Sequence, residues 1–173
     1  SFHDPKAAEV IGRLFFEGVC EPWEDGSDEE RALGATVSLI EMYEGVYGRC
    51  RNKIEALLAR HWPELTRILD LSGVTILELL KETGGPRAVR EEPSKAAELM
   101  RCAGRNGLAD WKIAAGVKSA METIGVPMTA GEEEALRAIA HEARRSQKLK
   151  RDTQVRVERM VQQEEETSRL GEV

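Results

Sequence analysis

Apolar residues recur at steps of three and four over two long stretches of the chain, and this period predicts two long helices. The first is expected over 27–62, from an acidic start signal to the stop at Pro63. The second is expected over 128–173, where Thr129 and Glu132 have the spacing of a capping box. Both apolar stripes are narrow, so each helix needs a packing partner to be stable.

Between these stretches, residues 63–127 carry shorter apolar runs that Gly and Pro interrupt. The pattern predicts five short helices, at about 64–70, 73–83, 86–91, 94–103 and 108–124. Leu108, Trp111 and Met121 are expected to help complete their core, with Trp111 buried rather than free to stack on a base. The predicted fold is therefore all-α, with two long, coiled-coil-like, antiparallel helices bracketing a compact multi-helix subdomain.

Three glycines, Gly34, Gly45 and Gly48, fall inside the first predicted long helix. Each of them lowers the stability of a helix by about 1 kcal/mol relative to Ala at an interior position. We expect such costly positions to mark places where another backbone comes close.

The composition supports helices and argues against several classes of site. Charged residues make up 32% of the chain and aromatic residues 5%, which favours solvated helices over a thick sheet core. The cysteines (Cys20, Cys50 and Cys102) are far apart, so neither a zinc site nor a disulfide framework is expected. No apolar stretch is long enough to span a membrane, and we expect a cytoplasmic protein with no membrane partner.

Several loose motifs follow one another in a distinctive order. The segment D-P-K-x-A-x-x-I starts at Asp4, and R-N-K-I-E-A-L-L lies in the second half of the first long helix. H-W-P-E-L follows directly, then L-E-L-L-K-E, a Gly-Pro turn and the long charged helix. This order resembles the middle region of the DEDD insertion-sequence transposases, a family that includes the Piv-type invertases.

The resemblance implies a domain organisation. Members of that family have a RuvC-like domain, a helical coiled-coil linker and a domain with a catalytic serine. Residues 1–26 would be the C-terminal edge of the RuvC-like domain plus a loop. Residues 27–62 and 128–173 would be the long linker helices, and 63–127 the compact helical subdomain.

The resemblance also implies one catalytic candidate. Asp4 falls on the first Asp of the family's last acidic motif, and Ala7 stands where the second Asp is expected. The family implies Mg²⁺ for the parent protein, but one carboxylate without its neighbours does not hold that ion. We therefore expect no cofactor in this region and no catalysis by this chain alone. A helix N-cap is the alternative role for Asp4.

Two groups of basic residues are candidates for nucleic-acid binding. From Arg144 to Arg159 there are seven basic residues and two acids. The candidates in this stretch are Arg144, Arg145, Lys148, Lys150 and Arg151. A basic helix face can follow a phosphate backbone, although a solvated coiled-coil face paired with acids is the alternative.

The second group surrounds the Gly-rich turn at 104–107 and consists of Arg101, Arg105 and Lys112. Such a turn can present backbone N–H groups and cations to a phosphate, and it can equally be a plain connector. The net charge of −6 argues against a dedicated basic module, so the local pattern carries this hypothesis.

Two hypotheses about function follow. The first is a helical linker and oligomerisation region of a transposase, acting in DNA transposition and site-specific recombination. It would form a homodimer or higher assembly and contact DNA or a structured RNA. The alternative is a stand-alone helical oligomerisation protein, or a decayed transposase fragment, with no nucleic-acid role.

Overall fold

A computed structural model describes residues 5–17 and 26–171, and every described element is helical. The α-helices are α1 (Pro5–Phe16), α2 (Asp28–His61), α3 (Leu65–Ile68), α4 (Val74–Thr83), α5 (Pro86–Glu91), α6 (Pro93–Gly104), α7 (Asp110–Glu122) and α8 (Ala130–Gly171). A 3-10 turn, Arg105–Gly107, joins α6 to α7. With no strand in the described ranges, the predicted all-α fold is confirmed. The coiled-coil packing stays a prediction.

The chain divides into two compact units, residues 1–34 and residues 35–173. In the first unit, α2 begins at a capping box. The backbone N–H of Ser27 donates to Glu30 Oε2 at 2.8 Å, and the N–H of Glu30 donates to Ser27 Oγ at 3.1 Å. These two bonds satisfy two donors that a helix start leaves free.

The second unit holds one apolar core, to which α2, α4, α6, α7 and α8 all contribute buried side chains. Trp62, directly after α2, is fully buried, and its Nε1–H donates to Ser119 Oγ at 2.9 Å. The Ser119 hydroxyl in turn donates to the Gly116 carbonyl at 2.8 Å. Because the indole N–H has this partner, the large ring fixes the end of α2 on α7 without an unsatisfied donor.

Helix α8 runs antiparallel to α2 within one chain. Lys150 pairs with Glu44, and at the other end His61 Nε2 lies 3.4 Å from Glu132 Oε1. The residue numbers rise along one helix as they fall along the other, which defines the antiparallel direction. The long helices therefore meet through contacts of a single chain.

The same helix also packs antiparallel to α4. Arg144 Nε lies 2.8 Å from Glu78 Oε1, and Arg137 Nη2 donates to the Thr83 carbonyl at 3.0 Å. Helix α8 therefore lies against both α2 and α4, so one face of its first half is buried.

Close backbone approaches occur at turns and not at the glycines of α2. A Cβ on Gly125 would lie 2.1 Å from the His61 carbonyl oxygen. A Cβ at Gly34 or Gly48 would have nothing within 4 Å, and one at Gly45 would meet only the Arg49 side chain. Within the described residues of one chain, the expectation that the α2 glycines mark close backbones is wrong. Sequence period alone does not distinguish a tolerated glycine from a required one.

The predicted burial of Trp111 and Met121 is also wrong, since their side chains are 65% and 46% exposed. The core face of α7 is set by Ile113, Gly116 and Ala120, which are buried. Trp111 precedes Ile113 by two residues, which places it about 160° around the helix, on the solvent side.

Candidate nucleic-acid interface

Four basic side chains of α8 lie exposed between residues 148 and 159. We call Lys148, Arg151, Arg156 and Arg159 the basic strip. Within the described part of the chain, no acid lies at ion-pair distance from any of the four. Eleven residues separate the first from the last, which is about 16 Å along the helix axis. Cations spaced in this way are free to neutralise successive phosphates.

The burial pattern of α8 explains why the strip faces solvent. Leu136, Ala140, Ala143 and Ser146 are buried and recur at steps of four, three and three. This stripe fixes the helix against α4 and α2, and the strip lies mostly on the opposite side of the helix. Asp152, one acid of this stretch, is exposed among the four cations.

The remaining predicted cations of α8 are already paired within the protein. Arg144 pairs with Glu78, Lys150 pairs with Glu44, and Arg145 Nη1 lies 3.6 Å from Glu142 Oε2. Of the five α8 candidates named from the sequence, the structure therefore leaves Lys148 and Arg151 unpaired in the described region.

The Glu78–Arg144 pair also has a clear electrostatic signature. Burial alone would raise the pKa of Glu78, but hydrogen bonds and charge from Lys81 and Arg144 outweigh it and hold the pKa below its ordinary value. Lys81 Nζ lies 2.6 Å from Glu78 Oε2 on the same helix. Glu78 therefore stays ionised at neutral pH and holds α8 on α4.

The second candidate group lies around the turn between α6 and α7. Arg105 is exposed and has φ 49°, a left-handed value that an L-residue seldom adopts. Arg101 is exposed and lines an open groove of about 790 Å³ between the two helices. Asp110 and Glu122 also line this groove, so its charge is mixed rather than basic.

Trp111 is exposed in this region, and Lys112 beside it is half-buried. Lys112 Nζ lies 5.6 Å from the centre of the Trp111 ring, within the range of a cation–π contact. Sequence reasoning missed Trp111. The usable signal was its spacing from Ile113, since residues two apart on a helix lie on different faces.

Asp70, an exposed acid between α3 and α4, is influenced by the charge of Lys112. Hydrogen bonds from Ser72 lower the pKa of Asp70 most strongly, and the charges of Arg51 and Lys112 lower it further. The N–H of Ser72 donates to Asp70 Oδ1 at 2.9 Å. Arg51 and Lys112 therefore both act on Asp70, which already accepts hydrogen bonds from Ser72.

The catalytic candidate Asp4 lies outside the described residues. Among those that are described, no group of three or more His, Cys, Asp and Glu side chains is placed to hold a metal ion. The role of Asp4, and the Mg²⁺ implied for the parent family, stay predictions from the resemblance.

None of the described helices combines the length and the apolar character needed to cross a bilayer.

Comparison with protein-family models, with curated proteins and with solved structures finds no match to this chain. The resemblance to the DEDD transposases therefore stays a prediction.

Proposed function

We propose that this chain is a helical nucleic-acid-binding region of a transposase-like recombination protein, and that the basic strip of α8 binds the phosphate backbone. The observation that carries the proposal is the exposed, unpaired state of Lys148, Arg151, Arg156 and Arg159 on one continuous helix. The transposase class comes from the order of sequence motifs alone, and the proposal places the protein in the cytoplasm.

The strip fits a backbone contact better than base recognition. Its members are Lys and Arg on an exposed helix surface, and such contacts position a protein on nucleic acid without reading its sequence. The net charge of −6 opposes non-specific association over the rest of the surface. Binding that depends on these four residues would therefore be localised to α8.

The experiment is a fluorescence-anisotropy titration of a labelled DNA duplex and a labelled RNA hairpin. The test variant carries Gln at all four positions of the strip. Because four phosphate contacts would be lost, we expect Kd for both ligands to rise by more than about tenfold at low salt.

A matched control removes the same charge elsewhere. Lys53, Arg67, Arg90 and Lys95 are exposed on other helices, and changing all four to Gln gives the same net charge as the test variant. The control should bind within about twofold of the unchanged protein if α8 is the binding surface. Equal losses in both variants would show only a general charge effect and contradict the proposal.

An apolar flank of α2 favours self-assembly as a second function. Leu39 and Met42 are 40% and 51% exposed, and half-buried Val46 follows four residues later on the same side of the helix. Steps of three and four suit the packing of a helix from a second copy. We expect light scattering to show a dimer that Met42→Lys dissociates, and a monomeric unchanged protein at high concentration would contradict this assignment.

A further inference from the structure

Trp111 presents an open aromatic surface that the core does not use. Its side chain is 65% exposed although the indole is the largest apolar group in the chain. On α7 the positions three and four residues further, one turn away, are Ala114 and Ala115. These small side chains leave the ring accessible instead of extending it into a broad apolar patch.

A cation suited to contact a phosphate lies beside the ring. Lys112 Nζ lies 5.6 Å from the ring centre, and Arg51 and Lys112 both act on Asp70. Arg105 is exposed on the turn that leads into α7. The exposed acid Asp110 directly precedes Trp111, and Asp70 is also acidic, so the charge around the ring is mixed, and the open aromatic face with Lys112 beside it carries the inference.

We propose that Trp111 is a stacking platform for an unpaired base of single-stranded nucleic acid, with Lys112 positioned to contact the adjoining phosphate. This inference rests on the proposed nucleic-acid function and adds the class of ligand. Every base has an aromatic face, so stacking on Trp accepts any sequence but requires a base that is free of a duplex. A protein partner would need a wider apolar surface than one indole flanked by alanines.

The test compares Trp111→Leu with Trp111→Phe. Leu keeps an apolar side chain and removes the aromatic face, whereas Phe keeps the face. The ligands are a 12-nucleotide oligo(U) RNA, an oligo(dT) strand of equal length and a 12-bp DNA duplex. Because Trp111 is exposed, both variants should retain the circular dichroism spectrum and melting temperature of the unchanged protein.

We expect Trp111→Leu to weaken binding of both single strands by about fivefold to 150-fold. Trp111→Phe should stay within about threefold, and duplex binding should change by less than about twofold in either variant. In a Trp23→Phe background, oligo(U) should also quench tryptophan fluorescence when Trp111 is present and not in Trp111→Phe, because the remaining indole, Trp62, is fully buried.

Three results would overturn the inference. The first is that Trp111→Leu binds single strands as tightly as the unchanged protein, while neutralising the basic strip still weakens binding. This result would contradict the stacking role of Trp111 and leave the proposed function of the basic strip supported. The second is that the unchanged protein binds no nucleic acid, which would contradict both the stacking role of Trp111 and the proposed function. The third is loss of self-association in Trp111→Leu with unchanged nucleic-acid affinity, which would assign the ring to a protein contact.

Discussion

Contacts of a few single residues hold the turn before α8 against the end of α2. The N–H of Val126 donates to the Arg60 carbonyl at 3.0 Å, and His61 Nδ1 donates to the Val126 carbonyl at 2.7 Å. Because a carbonyl only accepts, the hydrogen bond places a proton on Nδ1 of the buried His61 ring. Gly125 lies against the His61 carbonyl, and this approach leaves no room for a side chain.

Gly125→Ala tests this close approach. The added Cβ would lie 2.1 Å from the His61 carbonyl oxygen, so the turn must move and strain both hydrogen bonds. We expect a loss of about 1–3 kcal/mol in the free energy of unfolding measured in urea. The control is Gly48→Ala in α2, where the added Cβ would meet nothing within 4 Å. This variant should raise the free energy of unfolding by about 1 kcal/mol, because Ala favours a helix interior more than Gly does. Equal effects in the two variants would contradict the assigned packing.

At the scale of the helices, sequence signals that involve neighbouring residues predict the helix ends correctly. The capping box at Thr129 forms as expected, since Glu132 Oε2 accepts from the Thr129 N–H at 2.8 Å. The partners of α8 depend on residues far apart in sequence, such as Glu78 and Arg144, and no local pattern indicates them. The division of the α8 cations into paired and exposed sets therefore required the structure.

The lowered pKa of Glu78 makes the attachment of α8 to α4 sensitive to acid. A carboxyl whose pKa is lower in the folded state stabilises the fold above its unfolded pKa, and this stabilisation is lost as pH falls through the folded value. We expect stability to decrease as pH falls below about 4.5. Glu78→Gln should be less stable than the unchanged protein at pH 7 and should lose less on acidification, as followed by urea unfolding at several pH values.

Glu98→Gln is the matched control because Glu98 is exposed on α6. It should leave both the stability at neutral pH and the acid dependence close to those of the unchanged protein. The same acid dependence in Glu78→Gln as in the unchanged protein would show that the Glu78 pair does not hold α8.

At the scale of the whole molecule, the sequence predicts the all-α class but does not predict which side of each short helix is exposed. The all-α class follows from period and composition, but Trp111 shows the limit of that reasoning. The helical spacing from Leu108 predicts that Trp111 lies in the core, but the buried face of α7 is that of Ile113. Which side of a short helix is buried depends on its neighbours, and the neighbours of α7 come from α3, α5 and α6.

The central claim is that the exposed cations of α8 bind phosphates, and the salt dependence of duplex binding tests it most directly. Each phosphate contact contributes about −0.9 to the slope of log K against log salt concentration for B-DNA. Replacing Lys148, Arg151, Arg156 and Arg159 with Gln should therefore make the slope shallower by about 3 to 4. A slope that is the same in the unchanged protein and the variant would contradict the claim.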